Sequence, residues 1–157
     1  MGLFDKLKAV KNAITGGAAK VHVTAGPVKR GEPTTITVTA QSTGGEVKYS
    51  RVYLYIEGRE ELEVPDTDVY YDEDGDSRRR TETVRASATS YEAEINVGEG
   101  GVIEGNGTAE WTCEITIPEN SPAEFRGKYS EHYYRVQAGL DCFGNDPDSG
   151  WVRINVQ

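Results

Sequence analysis

Short runs of alternating apolar and polar residues, separated by turn residues, fill the chain from residue 20 to its end. Successive side chains of a β-strand point to opposite faces, so this period of two predicts strands with one buried face. Seven or eight such runs without an intervening helical pattern predict an all-β fold, a two-layer antiparallel β-sandwich over residues 18–157. The predicted core consists of Ile36, Val38, Leu54, Val84, Trp111, Ile115, Val136, Leu140 and Ile154.

The first 17 residues follow a different pattern, in which apolar residues recur at helical spacing. They predict a short amphipathic helix that ends at a Gly16-Gly17 hinge. Thirteen or so helical residues span only about 20 Å, too little to cross a bilayer. The apolar side chains form a stripe along one face of this helix. The stripe can pack on the chain's own sheet, on a membrane surface, or on a partner, including a second copy that gives a homodimer. The predicted binding residues are Leu3, Phe4, Leu7, Lys8, Val10, Lys11 and Ile14.

The charge distribution narrows the choice of partner. The net charge of −9 argues against nucleic acid, because phosphate binding depends on clustered lysine and arginine. Ten acidic residues and one arginine lie between Glu57 and Asp76, so this segment carries −9, whereas residues 1–30 carry six basic residues and one acidic. We therefore expect a protein partner and two electrically different regions.

The stretch KYSEHYYRVQAGLDCFG places His132 and Cys142 close together in sequence. On an extended strand, however, ten residues separate the two by about 33 Å, whereas a nucleophile and its base must approach within about 3 Å. Cys113 falls on a strand face with apolar neighbours and is predicted to be a small core residue. Two histidines and two cysteines without close pair spacings predict no zinc site. We predict no catalytic residue, no metal and no cofactor.

The acidic segment DVYYDEDGDSRRR supplies the remaining candidate site, Asp72, Asp74 and Asp76. These alternate like the start of a calcium loop, but Gly75 is the fourth residue of the run instead of the sixth, and residue 83 is Thr where the bidentate Glu belongs. Three interpretations stay open: a solvated hairpin tip, a weak divalent-cation site, and an acidic docking loop for a basic partner.

The start of the chain lacks the apolar stretch and cleavage pattern of a secretory signal, so we expect a cytoplasmic protein with reduced thiols. In that setting the sequence Asn106-Gly107-Thr108 is interpreted as a tight turn.

Two stretches resemble the arrestin-like family. IPENSPAEFRGKYSEHYYRVQAGLD is similar to the late part of an arrestin-like lobe: a proline-rich turn, an aromatic-x-Gly, then a strand that ends in Leu-Asp. AKVHVTAGPVKRGEPTTITVTAQSTGGEVKYSRVYLYIEG resembles the opening strands and turns of the family. The beginning, MGLFDKLKAVKNAITGGAAKV, is most like the bacterial sporulation-control proteins within that family.

The resemblance implies an arrestin-like, immunoglobulin-like sandwich that is not an enzyme and acts as a scaffold, adaptor or regulator by binding other proteins. Members usually carry two such lobes, and 157 residues give length for one. The alternative is a small-ligand or divalent-cation-binding sandwich, supported by nine tyrosines and the acidic loop.

Overall fold

A computed structural model describes residues 18–157 of the chain. The predicted N-terminal helix, its hinge and its seven binding residues lie outside these residues. The described part forms eight strands: β1 (Ala19–Ala25), β2 (Thr34–Ser42), β3 (Val47–Tyr71), β4 (Ser77–Ile103), β5 (Thr108–Ile115), β6 (Phe125–Arg126), β7 (Ser130–Cys142) and β8 (Val152–Ile154).

The strands form two antiparallel sheets, as the alternating pattern predicts. The small sheet has the order β1-β2-β5, and the large sheet has the order β4-β3-β7-β6, with β8 on the same edge of β7 as β6. An isolated parallel bridge joins Val28 to Val156 near the end of the chain. These two sheets confirm the sandwich for residues 18–157.

The core lies between the sheets and is built from the inward side chains of both. Seven of the nine predicted core residues are buried: Ile36, Val38, Leu54, Ile115, Val136, Leu140 and Ile154. Trp111 is partly buried, with its ring edge-on to Tyr49 at 5.6 Å between centroids. The prediction for Val84 is wrong, because its side chain is 48% exposed.

Val84 is exposed because β3 and β4 continue far beyond the sandwich. The pairing of β3 with β7 ends at Leu62 and Ser130, whereas the pairing of β3 with β4 runs on to Tyr71 and Ser77. We call residues 62–86 the arm. Nine residue steps from Leu62 to Tyr71 give it a length of about 30 Å.

The glycine-rich stretch of residues 96–107 is mostly strand, because β4 runs through it to Ile103. Here glycine permits close packing. A Cβ atom at Gly98 would lie 2.9 Å from the Trp111 ring, and one at Gly100 would lie 2.8 Å from the carbonyl oxygen of Ser50. Only the short turn around Asn106, whose φ is 59°, separates β4 from β5.

Candidate interaction surface

The arm has no hydrophobic core of its own. Of residues 62–86, all are exposed except Val64 and Asp72, which are partly buried. A two-stranded ribbon buries too little apolar surface to be stable by itself in water. A feature of this length, held by strand pairing and exposed side-chain contacts, is therefore a candidate for contact with another molecule.

The two faces of the arm follow from the strand register, since directly paired residues of antiparallel strands share a face. We call the face that continues from Leu54 and Ile56 the inner face and the opposite one the outer face. The inner face carries Leu62, Val64, Asp66, Asp68 and Tyr70, with Arg78, Arg80, Glu82, Val84 and Ala86. The outer face carries Glu63, Pro65, Thr67, Val69 and Tyr71, with Ser77, Arg79, Thr81, Thr83 and Arg85.

The acidic excess that the sequence shows lies on one strand of the arm, and arginines lie on the other. Where the two meet, they form ion pairs: Arg85 with Glu63 at 3.1 Å and Arg78 with Asp72 at 2.9 Å. These pairs are exposed, so solvent screening leaves each with little effect on stability. They neutralise part of the charge on the arm and leave its other charged side chains without a partner across the strands.

The tip of the arm is a turn closed by Asp72. The Asp72 side chain accepts hydrogen bonds from the backbone amide of Asp76 at 2.9 Å and from Arg78. The hydrogen bonds from Arg78 and from backbone amides hold the pKa of Asp72 below its ordinary value. Gly75 has a φ of 83°, which is the left-handed region that glycine adopts without strain. The acidic segment is thus a hairpin tip.

The carboxylate of Asp72 is engaged within this turn, and those of Asp74 and Asp76 have no ion pair with residues 18–157. The carboxylate of Glu73 likewise forms no ion pair with residues 18–157. Within the described residues no group of three or more His, Cys, Asp or Glu side chains is arranged to hold a metal ion. The tip therefore presents three free carboxylates without a ligand cage.

At the base of the arm, on its outer side, the turn between β6 and β7 encloses an open cleft of about 730 Å³. The turn is held against the arm by a 2.7 Å hydrogen bond from the Glu63 amide to the Tyr129 carbonyl. The cleft is lined by Arg59, Glu61, Leu62, Glu63, Pro65, Thr83, Arg85, Ala86, Ser87, Arg126, Gly127, Lys128, Tyr129, Ser130 and Glu131.

Two of these lining residues are unpaired cations. Arg59 pairs with Glu61 at 2.7 Å and Glu131 with Arg153 at 2.9 Å, but Arg126 and Lys128 form no ion pair with residues 18–157. Lys128 lies over the ring of Tyr129, with its Nζ 5.0 Å from the ring centroid. The cleft thus offers two positive charges outside any ion pair beside an exposed aromatic ring, and Arg126 lies near enough to Glu131 to help lower the pKa of that carboxyl.

The outer face of the large sheet carries a polar network that continues from this cleft. Glu57 accepts hydrogen bonds from Arg135 at 2.6 Å and from Thr89 at 3.0 Å. Burial acts to raise the pKa of Glu57, but these hydrogen bonds outweigh it and the pKa lies below its ordinary value. Tyr133 donates to Glu61 at 3.0 Å, and burial with this contact raises the pKa of Tyr133.

His132 and the two cysteines occupy structural positions. His132 is buried, its Nδ1 lies 3.0 Å from the carbonyl oxygen of Ala123, and its Nε2 lies 2.6 Å from the hydroxyl of Ser90. A carbonyl only accepts, so Nδ1 carries the proton and Nε2 accepts from Ser90. Ser90 is the extra residue of a bulge in β4, which this contact anchors. The spacing matches that of a serine nucleophile and its base, but both histidine nitrogens are committed to holding chain segments.

Cys113 and Cys142 are both partly buried and unbridged. Burial raises the pKa of Cys113, and burial together with nearby Asp146 and Asp141 raises that of Cys142 to about 11. His132 and Cys142 lie near opposite ends of β7, as the alternating pattern predicts. Neither thiol has the electropositive surroundings of a reactive cysteine.

Sequence reasoning found the acidic tip but missed the arm and the basic cleft at its base. The available signal was the pair of charge-rich stretches on either side of the turn sequence DEDGDS, which carry charges at both odd and even positions between residues 59 and 89. A strand that packs on a core should alternate apolar and polar residues, and here the alternation fades on both strands. Arg126 and Lys128 gave no signal, because only the fold brings them beside the arm.

No helix within residues 18–157 has the length and apolar character needed to span a membrane. No protein-family model matches the sequence. A comparison with curated proteins likewise found no match.

Comparison with solved structures finds proteins whose fold is similar to that of this chain. The chain resembles Spo0M, the sporulation control protein from Bacillus subtilis, with a TM-score of 0.60 over 90% of this chain at 21% sequence identity. It spans 50% of the length of that Bacillus protein. At this identity the likeness shows a Spo0M-like fold for the chain.

Two other structures match with lower scores. The Pseudomonas fluorescens alkylpurine DNA glycosylase AlkC, bound to DNA that contains an abasic site analog, has a TM-score of 0.42 at 12% identity, over 98% of this chain and 38% of that one. AvmM, which catalyses macrocyclization in alchivemycin A biosynthesis, has a TM-score of 0.41 at 9% identity, over 88% of this chain and 89% of that one. At such scores neither match carries an argument about this chain.

Proposed function

We propose that this chain is a non-catalytic protein-interaction module that binds its partner through the arm. The observation that carries the proposal is the exposure of the arm on both faces, with only Val64 and Asp72 partly buried. Leu62, Val69, Tyr70, Tyr71 and Val84 add exposed apolar side chains along it. A ribbon of about 30 Å that carries such side chains in water is stabilised by a partner that covers it.

The partner class follows from the charges. The arm presents free carboxylates at its tip and free cations in the cleft at its base, so we infer a folded protein with complementary charge at both places. The likeness to Spo0M, a sporulation control protein, supports a regulatory role as scaffold or adaptor. The finer assignment to the arrestin-like family, to its sporulation-control group and to the cytoplasm is part of the same proposal.

The N-terminal residues supply a second proposed contact. Residue 18 lies at the end of the sandwich where β2 meets β3, since the Thr43 amide donates to the Ala18 carbonyl at 3.1 Å. The arm leaves the sandwich at the other end. A stripe through Leu3, Phe4 and Leu7 would therefore contact a membrane surface or a partner independently of the arm.

The alternative, binding of a small ligand, would use the cleft at the arm base. Its volume of about 730 Å³ is in the range of ligand pockets, but charged side chains dominate its walls, and ligand pockets are mostly apolar. Binding of a divalent cation at the tip would need the carboxylate of Asp72 to leave Arg78 and the turn.

An arm-shortened variant tests the proposal. Residues 65–83 are replaced by Asn-Gly, which joins Val64 to Val84; these two residues are directly paired, as a two-residue hairpin turn requires. The full chain and the variant are immobilised and used to capture proteins from a cell extract of the native organism. We expect the variant to melt within a few degrees of the full chain and to lose the captured protein. Equal capture by both would refute a role for the arm.

A further inference from the structure

The distribution of charge along the arm is self-complementary, and this has a consequence for the identity of the partner. Glu73, Asp74 and Asp76 are free at the tip, and Arg126 and Lys128 are free at the base. About 30 Å of paired strands separates the two sets, so the tip of a chain does not contact its own base. The tip of one copy can, however, reach the base of a second copy.

The outer face of the arm is suited to contact with its own copy. Its middle carries Pro65, Thr67, Thr81 and Thr83, none of which is charged. Thr67 and Thr81 are paired across the strands, with their hydroxyl oxygens 3.2 Å apart. The middle of the inner face, in contrast, carries four charged side chains, Asp66, Asp68, Arg80 and Glu82, which a second copy would have to desolvate. The outer face is therefore the one that two copies can share.

We propose that two copies of this chain pair through the outer faces of their arms, antiparallel, with the tip of each arm in the base cleft of the other. The inference rests on the proposed function, because it takes the arm as the binding surface. A two-fold axis near Thr67 and Thr81 makes every contact occur twice, as in a closed symmetric dimer.

The register of this pairing follows from the positions on the arm. With the axis at Thr67, Val69 faces Pro65 of the second copy, and Tyr71 lies over the position of Glu63, at the mouth of the cleft. Tyr71 is 74% exposed, and Leu62, Pro65 and Tyr129 in the cleft supply apolar contacts for its ring. The three free carboxylates beyond Tyr71 then lie beside Arg126 and Lys128 of the second copy.

The size of this interface indicates a dimer of moderate strength. A contact of about 40 Å by 15 Å buries on the order of 600 Å² on each copy, slightly below the 800 Å² of a standard interface. We therefore expect dissociation constants of about 1 to 100 μM at low salt and weaker association as salt increases.

A charge-swap experiment on the full chain tests the dimer. One variant reverses the tip (Glu73→Lys, Asp74→Lys, Asp76→Lys), and the other reverses the base (Arg126→Glu, Lys128→Glu). All five positions are exposed, and neither set includes Asp72, which closes the turn. Circular dichroism melts confirm that both variants fold. Sedimentation then gives the mass of each chain relative to the 17.2 kDa monomer.

We expect the unaltered chain to dimerise and each variant alone to associate at least about tenfold more weakly, because like charges then meet at both ends of the pair. An equimolar mixture of the two variants should dimerise again, since the reversed tip meets the reversed base. A chain that stays monomeric at about 100 μM, or variants that dimerise as well as the unaltered chain, would overturn the proposal.

Cysteine cross-linking locates the axis. Thr67→Cys lies on it, so a bis-maleimide that spans about 10 Å should join two copies, whereas the neighbouring Asp68→Cys on the inner face should be joined at least about tenfold more slowly. Equal rates for both would overturn the antiparallel outer-face arrangement. If the full chain is monomeric but loses a captured protein when the arm is shortened, the dimer is refuted and the proposed function stands.

Discussion

Two valines on the same face of the large sheet give a matched test of where the core ends. Val136 lies in the middle of β7 and is fully buried, whereas Val84 lies on the arm and is 48% exposed. Truncation of Val136 to Ala removes two buried carbons, each worth about 0.8 kcal/mol, and leaves a cavity, so we expect a loss of about 2 to 3 kcal/mol in the free energy of unfolding.

Truncation of Val84 to Ala removes carbons that water already reaches. We expect it to cost less than about 1 kcal/mol, most of it through the lower strand propensity of alanine. For a domain of this size, the difference corresponds to a melting temperature about 5 to 10 °C lower for Val136→Ala and nearly unchanged for Val84→Ala.

Urea unfolding followed by circular dichroism measures both free energies, and equal slopes with denaturant confirm that the unfolded states are comparable. The reasoning is refuted if Val84→Ala costs as much as Val136→Ala. That result would mean that the arm folds back onto a core, and its exposure would no longer support a role in binding.

Three further outcomes follow from the site. Glu57→Gln should lower the melting temperature at pH 7, because the Glu57 carboxylate, whose pKa is lowered in the fold, stabilises the fold above its unfolded pKa of about 4.3, and the difference should shrink as pH falls through the folded pKa; a difference that does not change with pH contradicts it. At pH 8 the thiol of Cys142, with a pKa of about 11, should react with a disulfide reagent about a hundredfold more slowly than free cysteine; a comparable rate contradicts the burial described. Millimolar calcium should leave the melting temperature almost unchanged, because the carboxylate of Asp72 is engaged in its turn; a rise of several degrees that Asp74→Ala abolishes would instead make the tip a cation site.

The fold was predictable from the sequence wherever a strand has one buried face and one exposed face. Ile36 and Val38 alternate with threonines, and the pattern alone assigns them to the core, because a period of two leaves one set of side chains for each face. The same pattern misled at Val84. Its alternation with Arg85 and Ala86 indicates a strand with one apolar face, but the sequence does not show whether a second sheet covers that face.

The candidate site was predictable only in part for a related reason. The acidic tip is contiguous in sequence, so the pattern of Asp72, Asp74 and Asp76 marked it as a hairpin tip, a weak divalent-cation site or an acidic docking loop. The basic cleft combines residues of β3 and β4 with the turn at Arg126 and Lys128, more than forty residues beyond the tip. Such a site depends on the register between strands, and strand register at long sequence separation leaves no local signal.

Hydrogen exchange of the full chain, free and in its complex, tests the central claim most directly. The complex is the one formed with the captured protein, or the self-association at high concentration. In the free chain, the amides on the outward edge of β4 within residues 77–86 should exchange rapidly, because that edge has no strand partner among the described residues. On binding, we expect protection in residues 62–86 and 126–131. Unchanged exchange in both segments, with protection confined to other parts of the chain, would contradict the account.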